Sequence, residues 1–300
     1  MTEVWGKELY GAQLRQRVSH GGALPLIGIF DLFSASLAAR HFEAVFCSGY
    51  GFAASYYGLP DEGYIAWPDM VAYVERIRAV LPDQHIVVDI DDGYGDPKLA
   101  ANTVKRLERV GASAVILEDQ RRPKKCGHLP GKDILDTDDY LKRLDKVLDV
   151  REDLCVIART DATTLEEGIR RAKLYATRPV DGILVEGVPS LEVIPEIREA
   201  IGPDLMLTIN LIAGGKTPPV TVSKLQQLGA SLVIYSTPCL FLAQQAIDRG
   251  LAQLKADNGK FTAETSGVPF QENISLMAMN GLSATSRPAQ STAWPDKAAG

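Results

Sequence analysis

Eight short apolar or β-branched runs recur along the chain, at residues 24–29, 44–47, 86–88, 113–117, 154–158, 182–185, 205–209 and 231–235. Most are separated by stretches whose apolar residues fall three or four positions apart: 70–81 (MVAYVERIRAVL), 99–110, 140–148, 165–175, 191–201 and 220–228. The first pattern predicts strands and the second amphipathic helices. Strands so continuously apolar belong in a parallel sheet covered by helices. Eight such units predict a (β/α)8 barrel, an α/β architecture that takes about 250 residues. A doubly wound open sheet is the alternative. Its first turn should read G-x-G-x-x-G, whereas the chain has Gly28-Ile-Phe-Asp31 there.

All strand C-termini of a barrel open on one face, and active sites are built on that face. Polar residues stand at those ends: Asp31, Ser48, Asp89 with Asp91, Glu118, Arg159 with Asp161, Glu186, Asn210, and Ser236 beside Tyr235. The opposite ends, such as Gly111-Ala-Ser, Pro203-Asp-Leu and Gly229-Ala-Ser, carry little chemistry. This asymmetry points to an enzyme. Asp89-Ile-Asp91-Asp92-Gly-Tyr-Gly95 closes the third strand, and strand alternation predicts that Asp89 and Asp91 share a side. Glu118 ends the neighbouring strand. Three carboxylates converging without histidine suit Mg2+ or Mn2+. Taken alone, the Asp-x-Asp segment also reads as a solvated Asp/Gly turn.

Lys124-Lys-Cys126-Gly-His128 follows the fourth strand, and Gly127 with Gly131 predicts a mobile loop. Positive charge on Lys124, Lys125 and His128 predicts a lowered pKa for the Cys126 thiol. A thiol on a loop above a carboxylate-lined pocket is a candidate proton-transfer group. Cys47, Cys126, Cys155 and Cys239 form no C-x-x-C pair, which favours reduced thiols over disulfides or a zinc site. Cys47 and Cys155 fall in apolar runs and read as core. His20, His41 and His85 lie outside the motifs and read as surface or packing residues.

With 46% apolar and 23% charged residues, the 300-residue chain has an ordinary soluble composition. A net charge of −6 without a basic block argues against nucleic acid. No apolar run approaches about 18 residues, which argues against a membrane span. The opening Met1-Thr-Glu-Val-Trp-Gly-Lys-Glu lacks a secretory layout, so a cytoplasmic location is expected.

Seven segments, in order across residues 20–255, resemble the isocitrate lyase/phosphoenolpyruvate mutase superfamily. They are Ser48-Gly-Tyr, Gly58-Leu-Pro-Asp61, Asp89 to Gly95, Leu117-Glu-Asp-Gln120, Pro123-Lys-Lys-Cys-Gly-His128, Ala158-Arg-Thr-Asp-Ala162 and Gly214-Gly-Lys-Thr-Pro218. The resemblance implies a catalytic barrel over residues 1–257 and a C-terminal extension with a helix swapped between subunits; within that 258–300 region, residues 283–300 are rich in Ser, Ala and Pro and read as a flexible tail. It further implies homotetramers built as dimers of dimers. Asp89, Asp91 and Glu118 would hold Mg2+, with Mn2+ as a substitute. Cys126, Lys124, His128 and Asp61 would be catalytic. Ser48, Gly49, Tyr50, Arg159, Glu186, Asn210 and Ser236 would bind a small di- or tricarboxylate or a phosphonate.

The Lys-Lys-Cys-Gly-His loop looks most like the carbon–carbon lyases of that superfamily. The implied activity is a Mg2+-dependent lyase or hydrolase acting on oxaloacetate, a 2-substituted malate or an isocitrate-like dicarboxylate through an enolate-like intermediate. A phosphonate-handling enzyme and a non-catalytic barrel subunit are the alternatives. Arg159 could clamp an anion with two donors or form a structural pair with Asp161, and Glu186 could position substrate or satisfy a buried neighbour. Five positions depart from the lyase pattern. Ala213 replaces a glutamate of the pocket, and Asp92 replaces threonine and is expected to add charge beside the metal. Phe30 and Phe33 are expected to reshape the pocket floor, and Ser236 replaces a proline.

Overall fold

The computed structural model describes residues 9–129, 131–262, 265 and 267–280, so the tail expected over 283–300 lies outside the described residues. Eight strands close a barrel in sequence order: β1 Leu24–Ile29, β2 Ala44–Cys47, β3 His85–Asp89, β4 Ala114–Glu118, β5 Cys155–Thr160, β6 Gly182–Val185, β7 Met206–Leu211 and β8 Leu232–Tyr235. Every neighbouring pair is parallel, including β8 against β1. The predicted barrel is the observed one.

Strand alternation divides the apolar residues into two cores. Leu24, Leu26, Ala44, Phe46, Val87, Ala114, Ile116, Cys155, Ile157, Leu184, Met206, Leu232 and Ile234 pack together inside the barrel, with Leu14 closing its floor. Their outward neighbours, such as Val45, Val88, Val115, Val156, Ile183 and Val233, pack against the surrounding helices. Leu14 belongs to α1 (Tyr10–Ser19), which the periodicity did not reveal. The outer ring comprises α2 (Leu32–Ala38), the short α3 (Gly49–Phe52), α4 (Trp67–Val80), α5 (Pro97–Arg109), α6 (Thr137–Val150), α7 (Leu165–Tyr175), α8 (Ile194–Ile201), α9 (Val222–Gln227) and α10 (Pro238–Ala256). Beyond them lies α11 (Phe270–Met279).

Helix starts follow capping chemistry. Asp96 Oδ1 accepts the Lys98 and Leu99 N–H groups at 2.7 and 3.0 Å ahead of Pro97, and the Thr164 and Thr221 hydroxyls cap α7 and α9. Among the described residues no helix is long and apolar enough to cross a membrane. All four cysteines are free, and Cys47 and Cys155 are buried as expected.

β3, β4, β5 and β7 extend past their apolar runs and take in Asp89, Glu118, Arg159 and Asn210. These polar residues therefore have ladder-paired backbones, with Glu118 opposite Arg159 and Asn210 opposite Ile234. They also continue the inward-facing parity: 116 then 118, 157 then 159, 208 then 210. Ser48, Glu186 and Ser236 extend the same rows just past their strands.

Candidate active site

Those rows floor a pocket of about 400 Å³, counted to its open rim, at the C-terminal mouth of the barrel. Phe46, Ile116, Leu184, Ile212 and Ile234 form its apolar wall. Its polar lining is Ser48, Tyr50, Asp61, Asp89, Arg159, Glu186, Asn210 and Ser236, and Cys126, Gly127 and His128 close over it from the loop after β4. A few convergent polar groups on an apolar wall is the usual make-up of a small-ligand site.

On one side three carboxylates converge on Gly49. A Cβ there would lie 3.3 Å from Asp89 Oδ2, 3.5 Å from Asp91 Oδ1 and 3.7 Å from Asp61 Oδ1, so glycine leaves that space open. Lys124 enters it from the loop, 2.9 Å from Asp61 Oδ1 and paired with Asp91 Oδ1. Burial alone would lower the Lys124 pKa, but Asp61, Asp91 and Glu118 outweigh it and hold the ammonium well above its usual range. Among the described residues no three His, Cys, Asp or Glu side chains already stand as ligands of one ion.

The donor set nevertheless fits a hard cation. Asp91 Oδ2 and Glu118 Oε1 are buried without a hydrogen-bond partner. Burial, partly offset by Lys124, pushes the Asp91 carboxyl up to about 6. It also drives Glu118 well above the carboxylate range, against the pull of Arg159 and Lys124. Unpaired buried oxygens of this kind are costly unless a positive partner meets them.

On the other side runs a chain of hydrogen bonds. Ser236 Oγ donates to Asn210 Oδ1 at 2.7 Å, and Asn210 Nδ2 donates to Glu186 Oε1 at 2.9 Å. His128 Nε2 lies 2.8 Å from the same oxygen. His128 Nδ1 accepts the Lys216 N–H at 2.9 Å, which fixes the ring with Nε2 turned toward Glu186. Burial would raise the Glu186 carboxyl, but Arg159 and His128 hold it well below its usual range.

A family model described as phosphoenolpyruvate phosphomutase matches residues 14–255. The chain belongs to that family. The 2,3-dimethylmalate lyase of Eubacterium barkeri is 32% identical over 279 residues, covering 90% of this chain and 95% of its own length. The petal death protein of Dianthus caryophyllus is 34% identical over 244 residues, covering 78% and 75%. A structure of oxaloacetate acetylhydrolase with the inhibitor 3,3-difluorooxalacetate superposes with a TM-score of 0.84 at 29% identity, covering 91% of this chain and 93% of that one. The superfamily expected from the motifs is thus met, and the chain is an enzyme of this group of lyases and mutases.

Within the phosphomutase-family barrel several expectations are corrected. The Cys126 thiol is raised, not lowered. Burial dominates, with the Asp61 and Glu186 carboxylates adding to it. Lys124 is spent on carboxylates and Lys125 is exposed, so neither supplies the expected thiolate-favouring charge. Asp91 is not a strand residue sharing a side with Asp89 by alternation. It lies in a turn with φ of +48°, and its carboxylate is aimed by that turn. Asp31 is an outward helix cap whose Oδ1 accepts the Ser34 N–H at 2.7 Å.

Asp92 does not add charge beside the carboxylate cluster. Arg122 at 2.8 Å and Arg143 at 3.0 Å neutralise it below the floor. Phe30, Phe33 and Ala213 do not line the pocket, and Phe33 and Ala213 are exposed. Arg159 holds Asp161 with two donors at 2.7 and 3.1 Å, which leaves that edge of its guanidinium unavailable to clamp an anion here. Two groups were given no role by the motif reading: Gln120, quoted within a motif, holds the Lys125 backbone, and Lys132, outside every motif, reaches Asp161 at 2.8 Å. The apolar wall could have been found by extending the inward parity of each strand.

Proposed function

We propose that this enzyme is a Mg2+-dependent carbon–carbon lyase or hydrolase acting on oxaloacetate or a 2-substituted malate through an enolate-like intermediate. The carrying observation is a pair of carboxylates with orphaned buried oxygens (Asp91, Glu118), set against the pocket residues Asp89 and Arg159, together with the half-buried Cys126 thiol of raised pKa that lines the same pocket. Asp89, Asp91 and Glu118 would hold the cation. When bound, it supplies charge that stabilises a developing oxyanion and lowers the substrate hydroxyl pKa.

The chain's own residues would do the rest. Ser48, Gly49 and Tyr50 at the α3 turn receive the substrate carboxylate, while Asn210 and Ser236 face the other end of the pocket. Asp61 takes the C2 hydroxyl proton. The C2–C3 bond then breaks, C2 becomes a carbonyl, and the bonding pair passes to C3. Cys126 donates its proton to C3, with Lys124 and His128 fixing the loop around it, and the hydroxyl proton restores the thiol. With hydrated oxaloacetate the same balance gives oxalate and acetate, and Ser236 is positioned to contact the extra hydroxyl. Proton transfer at carbon needs a thiol rather than a thiolate, which the raised Cys126 pKa supports.

NMR product analysis with Mg2+ and a panel of oxaloacetate, 2,3-dimethylmalate, 2-methylisocitrate and phosphonopyruvate should show carbon–carbon cleavage that EDTA abolishes. Turnover of phosphonopyruvate alone would replace this reading by the phosphonate one, and turnover of none would favour a non-catalytic barrel. We also propose that α10 and the extension from residue 258 serve assembly of a homotetramer, as the superfamily resemblance implies. Leu242 (66% exposed), Leu251 (60%) and Phe270 (81%) stand open on α10 and α11, as an apolar association face would. Light scattering on the full chain should give four copies, and a monodisperse monomer would end this idea.

A further inference from the structure

We propose that Lys132 is the positioning residue that latches the Cys126 loop to the barrel mouth. The loop leaves β4 and returns to α6, and its two ends are stitched together. Arg121 N–H donates to Asp133 O at 2.8 Å, and Leu135 N–H donates to Asp119 O at 2.8 Å. Its tip is a single turn closed by Leu129 N–H on Cys126 O at 2.9 Å. Lys124 and His128 attach to the barrel through their own side chains and already belong to the pocket.

Lys132 does something different, because it holds the backbone of the tip. Its Nζ donates to Gly127 O at 2.7 Å, one residue past Cys126, and to Asp161 Oδ1 at 2.8 Å. The Lys132 side chain is 3% exposed and Asp161 is fully buried. Asp161 is itself fixed, since Asp119 Oδ1 accepts its N–H at 2.8 Å and Arg159 donates to both of its carboxylate oxygens. One compact ammonium therefore ties a loop carbonyl to an immobile carboxylate at the end of β5.

The tip has no slack. A Cβ on Gly127 would come within 2.4 Å of Glu186 Cγ and 2.5 Å of Arg159 Nη2. Freeing the Gly127 carbonyl should therefore lift the tip and carry Cys126 away from the pocket. Asp161 keeps Arg159 when Lys132 is removed, so the barrel is not left with an unpaired carboxylate. The latch stands whatever bond Cys126 helps to break; only its effect on turnover rests on the function proposed above.

The test is the alkylation rate of Cys126 in the intact protein, read by peptide mass spectrometry after iodoacetamide, with Cys239 as internal control. Lys132→Met should raise the Cys126 rate about tenfold by local opening and leave Cys239 unchanged. Lys132→Gln, which retains a donor, should fall between it and wild type, and it carries the test if the methionine variant does not fold. An unchanged Cys126 rate overturns the latch, as does a rise matched by Cys239, which would mean general loosening. On the proposed function, Lys132→Met also lowers kcat more than it alters KM. A thiol effect in a protein that turns over none of the panel would support the latch and remove that function.

Discussion

Cys126→Ser is expected to lower kcat by about 10²–10⁴-fold, the usual worth of a positioned proton donor, with little change in KM. Serine fills nearly the same space, so neither the loop contacts nor the carboxylate cluster has reason to move. What changes is acidity, because an alcohol is a far poorer donor to a carbanion than a thiol. Mn2+ binding, followed by electron paramagnetic resonance, should be unaltered and thereby separate a chemical defect from a lost site. The thiol itself gives a second check. Its pKa is raised by burial and then by Asp61 and Glu186, so it stays protonated as pH climbs past the ordinary thiol value. Iodoacetamide labelling of Cys126 should therefore keep rising beyond pH 9 without an earlier plateau. A plateau near neutrality, or a serine variant within threefold of wild-type kcat, would remove Cys126 as the acid.

The barrel and most of the pocket were legible because both depend on local alternation. Once a strand is placed, its parity decides whether a residue faces the interior, and Glu118, Arg159 and Asn210 inherit their direction from Ile116, Ile157 and Thr208. The misread residues are those whose neighbours are set by tertiary contact. Lys124 stands two positions from Cys126 in sequence, yet its charge is delivered to Asp61 and Asp91. Asp92 lies within an acidic motif, yet its partners are Arg122 and Arg143, on other segments. Nothing local to Lys132 announces Asp161. Charge counted along the chain gave the wrong sign for the Cys126 pKa because desolvation, which the sequence does not display residue by residue, outweighs it. The helices α1 and α10 were missed for a related reason. Neither buries a wide apolar stripe: Gly11 and Leu14 are the buried positions of α1, and no residue of α10 is buried.

Arg159→Met should destabilise the protein by about 3–5 kcal/mol, the cost of breaking a buried ion pair by removing one partner. The guanidinium holds Asp161 at 2.7 Å, Glu118 at 3.3 Å and Glu186 at 3.5 Å, and all three carboxylates are fully buried. Methionine replaces the volume of the stem but leaves Asp161 only Lys132, and Glu186 only His128 and Asn210. Arg159→Lys should recover part of the loss, because a point charge can meet one carboxylate but cannot fork onto Asp161. The pH dependence has a definite sign. Burial tends to raise Asp161 and Glu186, but Arg159 leads the groups that depress both below their unfolded values. A depressed carboxyl contributes stability above its unfolded pKa, near 4, and loses it as pH falls through the folded value. The stability gap between wild type and Arg159→Met should therefore be fully present at pH 7 and narrow below about pH 4. Urea unfolding at pH 7 and pH 3.5 measures both. A gap under about 1 kcal/mol at pH 7 would mean that Lys132 and His128 neutralise the cluster without the guanidinium. Arg159 would then stand in the pocket for the substrate rather than for the fold.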